Sequence, residues 1–217
     1  MKSIAKIMAG LRKTVRGFDG PAVSLVIAQH GRDPYFILVS CLLSLRTKDS
    51  ISLPVSLKLF QSVKNFDDLA AMRREDLEKI IYSTGFYRQK AKQLQAVARE
   101  IVLHHAGTVP NTRVALLALP GVGLKTANLV LAEAFGIPAL CVDIHVHRIS
   151  NRLGLVATRT PEETEQALQK VLPQKYWPEW NNLLVLFGQN ICTPQSPHCS
   201  TCPLAKLCLK IGVTRSR

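Results

Sequence analysis

The chain has 217 residues, 47% of them hydrophobic and 20% charged, the balance of a globular protein with a substantial core. No apolar run approaches the roughly 20 residues that span a bilayer, and 12 glycines and 12 prolines without period exclude a low-complexity chain. The 28 Lys and Arg against 15 Asp and Glu leave a net charge of +13, an excess that points to a polyanionic partner, nucleic acid foremost.

Apolar residues recur at three and four positions and strict alternation never lasts, so the pattern predicts an all-α fold. Helices are expected over 2–16, 21–30, 35–46, 49–62, 75–83, 88–105, 112–118, 123–135, 144–154, 161–171 and 179–190. Lys2, Lys6, Arg12, Lys13 and Arg16 all precede the first acid, Asp19, as in a transit peptide. Lys6 interrupts the apolar run, however, and Ile4, Met8, Leu11 and Val15 share one helix face, so an amphipathic helix docked on the body is expected. Phe36–Leu43 is apolar all round and belongs at the centre of a bundle. Pro54 should kink the 49–62 helix or delay its start. Cys41 and Cys141 sit in apolar runs as small buried hydrophobes. Cys192, Cys199, Cys202 and Cys208 crowd the C-terminal end. With no secretory signal a reducing compartment is expected, where a metal site prevails over a disulfide knot.

Leu119-Pro120-Gly121-Val122-Gly123 lies between two helical patterns. Its glycines allow a tight turn with backbone amides pointing outward at a helix start, a nest that attracts phosphate. An ordinary glycine-rich connection would look the same; the net charge tips the reading toward phosphate. Lys125 falls in the first turn of the following helix. There the positive dipole end disfavours an ammonium, so the position makes either an indifferent surface lysine or a nucleophilic amine. Between Glu100 and Glu162 the only acids are Glu133 and Asp143. Glu133 stands about 12 Å beyond Lys125 on the same helix, too far to assist it. Asp143 precedes a helical segment, so an N-cap role is expected, compatible with an ionised carboxylate available for proton transfer. His145 and His147, two apart on a helix, do not face the same way and make a poor metal pair; the better reading for His145 is contact with a phosphate of the polyanionic partner.

The four cysteines are spaced C-x6-C-x2-C-x5-C. Structural zinc sites use two close pairs, whereas this compact loop holds only one, which suits a cubane better.

Leu119–Leu131, Val142–Arg148 and the terminal cysteines together resemble the endonuclease III family of helix-hairpin-helix DNA glycosylases, over about residues 25–208. The resemblance implies that Lys125 is the nucleophile and Asp143 the catalytic aspartate. It also implies a backbone grip on DNA at Gly121, Val122 and Gly123, and a 4Fe–4S cluster on Cys192, Cys199, Cys202 and Cys208. Two departures stand out. The loop between the first two cysteines, Thr193–His198, lacks the basic residues relatives carry, leaving His198 or residues elsewhere to compensate. Arg46 occupies the position where relatives usually carry a glutamine that fills the space left by a flipped base, and Phe86 stands where an apolar wedge enters the stack.

The implied architecture is two helical lobes with a DNA-binding cleft: 24–137 as a helical barrel ending in the hairpin, and 1–23 with 138–217 as the cluster lobe. The implied activity is a bifunctional DNA glycosylase and abasic-site lyase acting on damaged double-stranded DNA, with oxidised pyrimidines as substrates. A monomer is expected, cytoplasmic at the nucleoid if prokaryotic, and not secreted. The alternatives are a monofunctional adenine or mismatch glycosylase, which lacks the lysine, and a non-catalytic DNA-binding module.

Overall fold

The computed structural model describes residues 3–217; the expected helix start at residue 2 lies outside them. In chain order the helices are α1 (Ile4–Thr14), α2 (Ala22–His30), α3 (Pro34–Ser44), α4 (Asp49–Ser62), α5 (Phe66–Ala71) and α6 (Arg74–Ile81). There follow α7 (Tyr87–His105), α8 (Arg113–Ala118), α9 (Leu124–Phe135), α10 (Ile144–Leu153), α11 (Pro161–Val171) and α12 (Trp177–Asn190), the last preceded by a 3-10 turn at Gln174–Tyr176. The described residues contain no strand, and none of their helices is long and apolar enough to cross a membrane. The chain packs as two compact units, one of Pro21–Ile137 and one of the described residues up to Gly20 with Pro138–Arg217.

In the Pro21–Ile137 unit, α3 starts where Asp33 accepts the Tyr35 amide at 2.8 Å and Pro34 takes the first turn. Ile37 through Leu43 are then buried on every side, with α2, α4, α7 and α9 packed around them. The expected helix at 49–62 forms from Asp49, so Pro54 does not delay its start and lies inside the helix. Periodicity missed α5, which is too short to show it. It forms because the Asn65 side chain accepts the Asp68 amide at 2.8 Å while Phe66 and Leu69 are buried.

In the other unit, Ile7, Met8, Leu11 and Val15 of the first helical segment join Leu140, Val146, Ile149, Trp180, Leu184 and Phe187 in one core. Gly10 lets α1 approach Leu204 so closely that a Cβ there would stand 2.5 Å from that side chain. An Arg12–Glu179 ion pair closes the edge. The basic N-terminal segment is therefore a docked amphipathic helix.

Candidate functional site

The hairpin is a type II turn. Pro120 occupies its second position, Gly121 its third with φ +70°, and the Val122 amide donates to the Leu119 carbonyl at 3.1 Å. The positive φ favours glycine at 121, and a Cβ there would displace the Gln93 side-chain amide, whose nitrogen it would meet at 2.3 Å. Gln93 Nε2 donates to the Gly121 carbonyl at 3.0 Å and so braces the turn from α7. Val122 is buried and its amide is spent inside the turn, so it fixes the hairpin rather than offering a donor. The donors on offer belong to Gly123 and the first turn of α9, ahead of the first intrahelical bond, Ala127 to Gly123 at 2.9 Å.

Lys125 is exposed in that first turn. Its positive charge is felt at Cys41 of α3, whose thiol is nevertheless pushed up to about 12 by burial and stays protonated, the inert behaviour of a core cysteine. Glu133, further along α9, is held by Arg32 at 3.1 Å; burial pushes its carboxyl up while Arg32 opposes the shift. It is engaged elsewhere, as its distance along the helix from Lys125 required.

Asp143, in the other unit, is the N-cap of α10. Oδ1 accepts the amides of His145 and Val146, both at 2.9 Å, so the cap uses a single carboxylate oxygen. His145 and His147 turn to different partners. His145 Nδ1 lies 3.1 Å from Arg148 Nη2, whereas His147 Nδ1 lies 2.6 Å from Thr164 Oγ1.

Arg46 and Phe86, forty positions apart, are brought together. Both are exposed, and both adopt the left-handed region at φ 53° and 58°, which non-glycine residues seldom occupy. The guanidinium carbon of Arg46 sits 5.8 Å from the centre of the Phe86 ring. Lys90 lies beneath them. It is buried in an apolar stripe of α7, where burial lowers its amine to about 8.

Cys192, Cys199, Cys202 and Cys208 line one cavity with Leu153, Phe187 and Leu204 as its apolar wall. Four cysteines around one cavity supply the four thiolates that a 4Fe–4S cluster takes. N–H donors reach two of the sulfurs, as ligating thiolates need: the Arg152 guanidinium Nη1 lies 3.3 Å from Cys192 Sγ and the Lys210 amide 3.3 Å from Cys208 Sγ. Arg148 donates to the Cys192 carbonyl at 2.9 Å, and Arg152 donates to the carbonyls of Thr193 and Pro194, both at 2.7 Å. Gly188 makes room, since a Cβ there would stand 2.4 Å from His145 Nδ1. His198 also lines the cysteine cavity.

Lys90, Gln93, Arg148, Arg152 and Gly188 were not visible as site residues in the sequence. Lys90 alone carried a signal, as a charge interrupting the apolar stripe Ala91, Leu94, Ala98 and Ile101.

Residues 39–174 match the HhH-GPD superfamily of base excision DNA repair proteins, and residues 192–208 match the iron-sulfur binding domain of endonuclease III. Endonuclease III of Thermotoga maritima is 49% identical over 176 residues, covering 81% of this chain and 83% of the relative. A solved non-covalent endonuclease III–DNA complex is similar at a TM-score of 0.81 and 34% identity, covering 97% of both chains. A thermostable thymine-DNA glycosylase is similar at 0.80 and 30%, covering 94% of both. With the hairpin, Lys125, Asp143 and the cysteine cavity in place, the chain belongs to the endonuclease III family of DNA-binding base excision repair enzymes, DNA glycosylases and abasic-site lyases that carry a 4Fe–4S cluster.

Proposed function

We propose that the protein, acting as a monomer where the cell's DNA lies (at the nucleoid of a prokaryote), removes oxidised pyrimidines from damaged duplex DNA by a lysine Schiff base. The damaged nucleotide must leave the stack, because the glycosidic carbon is out of reach within it. Amides at Gly123 and the first turn of α9 hold a phosphate, on a turn fixed by Gly121 and Val122. Phe86 enters the opened step. Arg46 meets the orphaned guanine or an adjoining phosphate, and His145 faces the backbone. The Lys125 amine attacks C1′ and the C1′–N bond breaks, its electron pair leaving with the base. The amine's proton passes to Asp143, whose Oδ2 the helix cap does not use. Opening of the sugar gives an imine, which acidifies C2′; loss of that proton breaks the C3′–O bond and releases a 5′-phosphate end. The observation that carries this reading is an exposed lysine in the first turn of a helix whose preceding turn presents backbone donors.

Borohydride reduces an imine, so it should trap a covalent protein–DNA adduct. Lys125→Gln is expected to lose trapping altogether while keeping most of its DNA affinity, because the amides supply much of the grip. Asp143→Asn should slow base removal by about a hundredfold or more with the fold retained. An unchanged adduct yield from Lys125→Gln would overturn the assignment.

A further inference from the structure

The turn carrying Arg46 follows α3, the apolar centre of its unit, and the turn carrying Phe86 precedes α7. They touch: a Cβ on Gly85 would lie 3.3 Å from the Arg46 carbonyl oxygen. Two left-handed non-glycine residues in facing turns are conformations that the surroundings must enforce, because neither is favoured on its own. One residue is bonded to both turns. The Lys90 amide donates to the Phe86 carbonyl at 3.0 Å, and the Lys90 ammonium donates to the Leu43 carbonyl at 2.8 Å and to Thr47 Oγ1. Leu43 and Thr47 bracket the Arg46 turn, itself closed by the Thr47 amide on the Ser44 carbonyl at 3.1 Å. The Leu43 carbonyl also lies in the last turn of α3, where carbonyls lack helical partners and a cation is favoured. Among the described residues no carboxylate pairs with Lys90, which is only 5% exposed, so its charge is met by these two oxygens. An apolar side chain of the same length would fill the space without burying a cation. What the ammonium adds is a fixed distance between two turns.

We propose that Lys90 is a positioning residue that locks the Arg46 turn to the Phe86 turn, so that both side chains are presented to the duplex as one rigid unit. This rests on the reading of Arg46 and Phe86 as DNA contacts. A free Phe86 turn would still close, but its ring would no longer enter the stack in register with the guanidinium. Misplacement by about an ångström in a reacting complex costs up to about a hundredfold, so loosening the pair should be visible in rate.

The test compares Lys90→Met, Arg46→Ala/Phe86→Ala and their combination, each on one abasic site in duplex and in single-stranded DNA. A 2-aminopurine beside the duplex site reports opening of the stack. Lys90→Met should lower the duplex-to-single-strand cleavage ratio about tenfold and shrink the aminopurine rise. Added to the double variant it should change either readout less than about twofold, because residues acting through one another are not additive. Thr47→Val, which removes one acceptor, should move both readouts the same way by less, and it serves if Lys90→Met does not fold. If the double variant loses both readouts while Lys90→Met and Thr47→Val keep them, Lys90 is not a positioning residue. Equal losses of Lys90→Met on the two substrates would also overturn the proposal, marking a general loss of structure. If the double variant itself keeps both readouts, the contact reading falls first and the proposal with it.

Discussion

The Pro21–Ile137 unit is organised by a helix that is apolar on every side, with its polar devices at the tips: the Arg46 turn, the Phe86 turn and the hairpin. In the other unit the loop that follows α12 leaves regular structure altogether, and its carbonyls are gathered by Arg148 and Arg152, one helical turn apart on α10. The first arrangement is dominated by apolar burial, which needs no ligand. The second sets thiols and peptide carbonyls around a cavity and depends on a cluster to hold the sulfurs. Residues proposed for the reaction fall in both, Lys125 in the first and Asp143 in the second, so the chemistry draws on two kinds of stability.

The sharpest way to break that contrast is to remove a thiolate. Cys202→Ser should lose the yellow-brown colour and about four irons per chain. Hydrogen exchange on the full chain should then show protection lost by several kcal/mol in α10–α12 and retained in α3 and α7. Stoichiometric zinc in a colourless, fully active wild-type protein would contradict this. A smaller effect is expected from pH in the apolar unit. The Lys90 amine titrates at about 8, below its unfolded value of 10.5, so between these limits the unfolded chain holds more protons. The stability of wild type relative to Lys90→Met should therefore rise across that window, by on the order of 1–2 kcal/mol, as read from paired denaturant melts. A flat difference would mean that the amine is not desolvated. An effect of similar size concerns which base faces the lesion. A guanidinium has donors but no acceptor, so wild type should favour guanine opposite an oxidised pyrimidine, and Arg46→Gln should flatten that preference, a discrimination of about 1–3 kcal/mol. Single-turnover cleavage opposite each of the four bases measures it. The same profile from both proteins would leave Arg46 as a phosphate anchor.

Much of this was legible in the sequence where a signal is local. Asp143 could be seen as a cap because capping depends on the next three residues, and α3 as central because its composition leaves no polar face. Gly121 read as a tight turn for the same reason. The contacts that reach across the chain were not legible: nothing local to Gln93 tells that it braces a hairpin 28 positions away, or to Arg152 that it gathers carbonyls more than 40 positions on. Gly188 looks like a weakness inside a helix until the His145 ring is placed against it. The left-handed backbone of Arg46 and Phe86 was hidden as well, because neither residue type advertises it.

The pairing of α1 with α12 also bears on how the protein is made. Arg12 and Glu179 are separated by 167 positions, and at roughly 5–20 residues per second a ribosome needs about 10–30 s to deliver the second after the first. During that interval all of α2–α9 emerges and is free to pack, while the apolar face of α1 waits for core partners that begin only at Leu140. The nascent chain thus carries Ile7, Met8 and Leu11 uncovered through more than half of its synthesis, a hydrophobic segment offered to holding chaperones until Leu140, α10 and finally α12 arrive to complete its core.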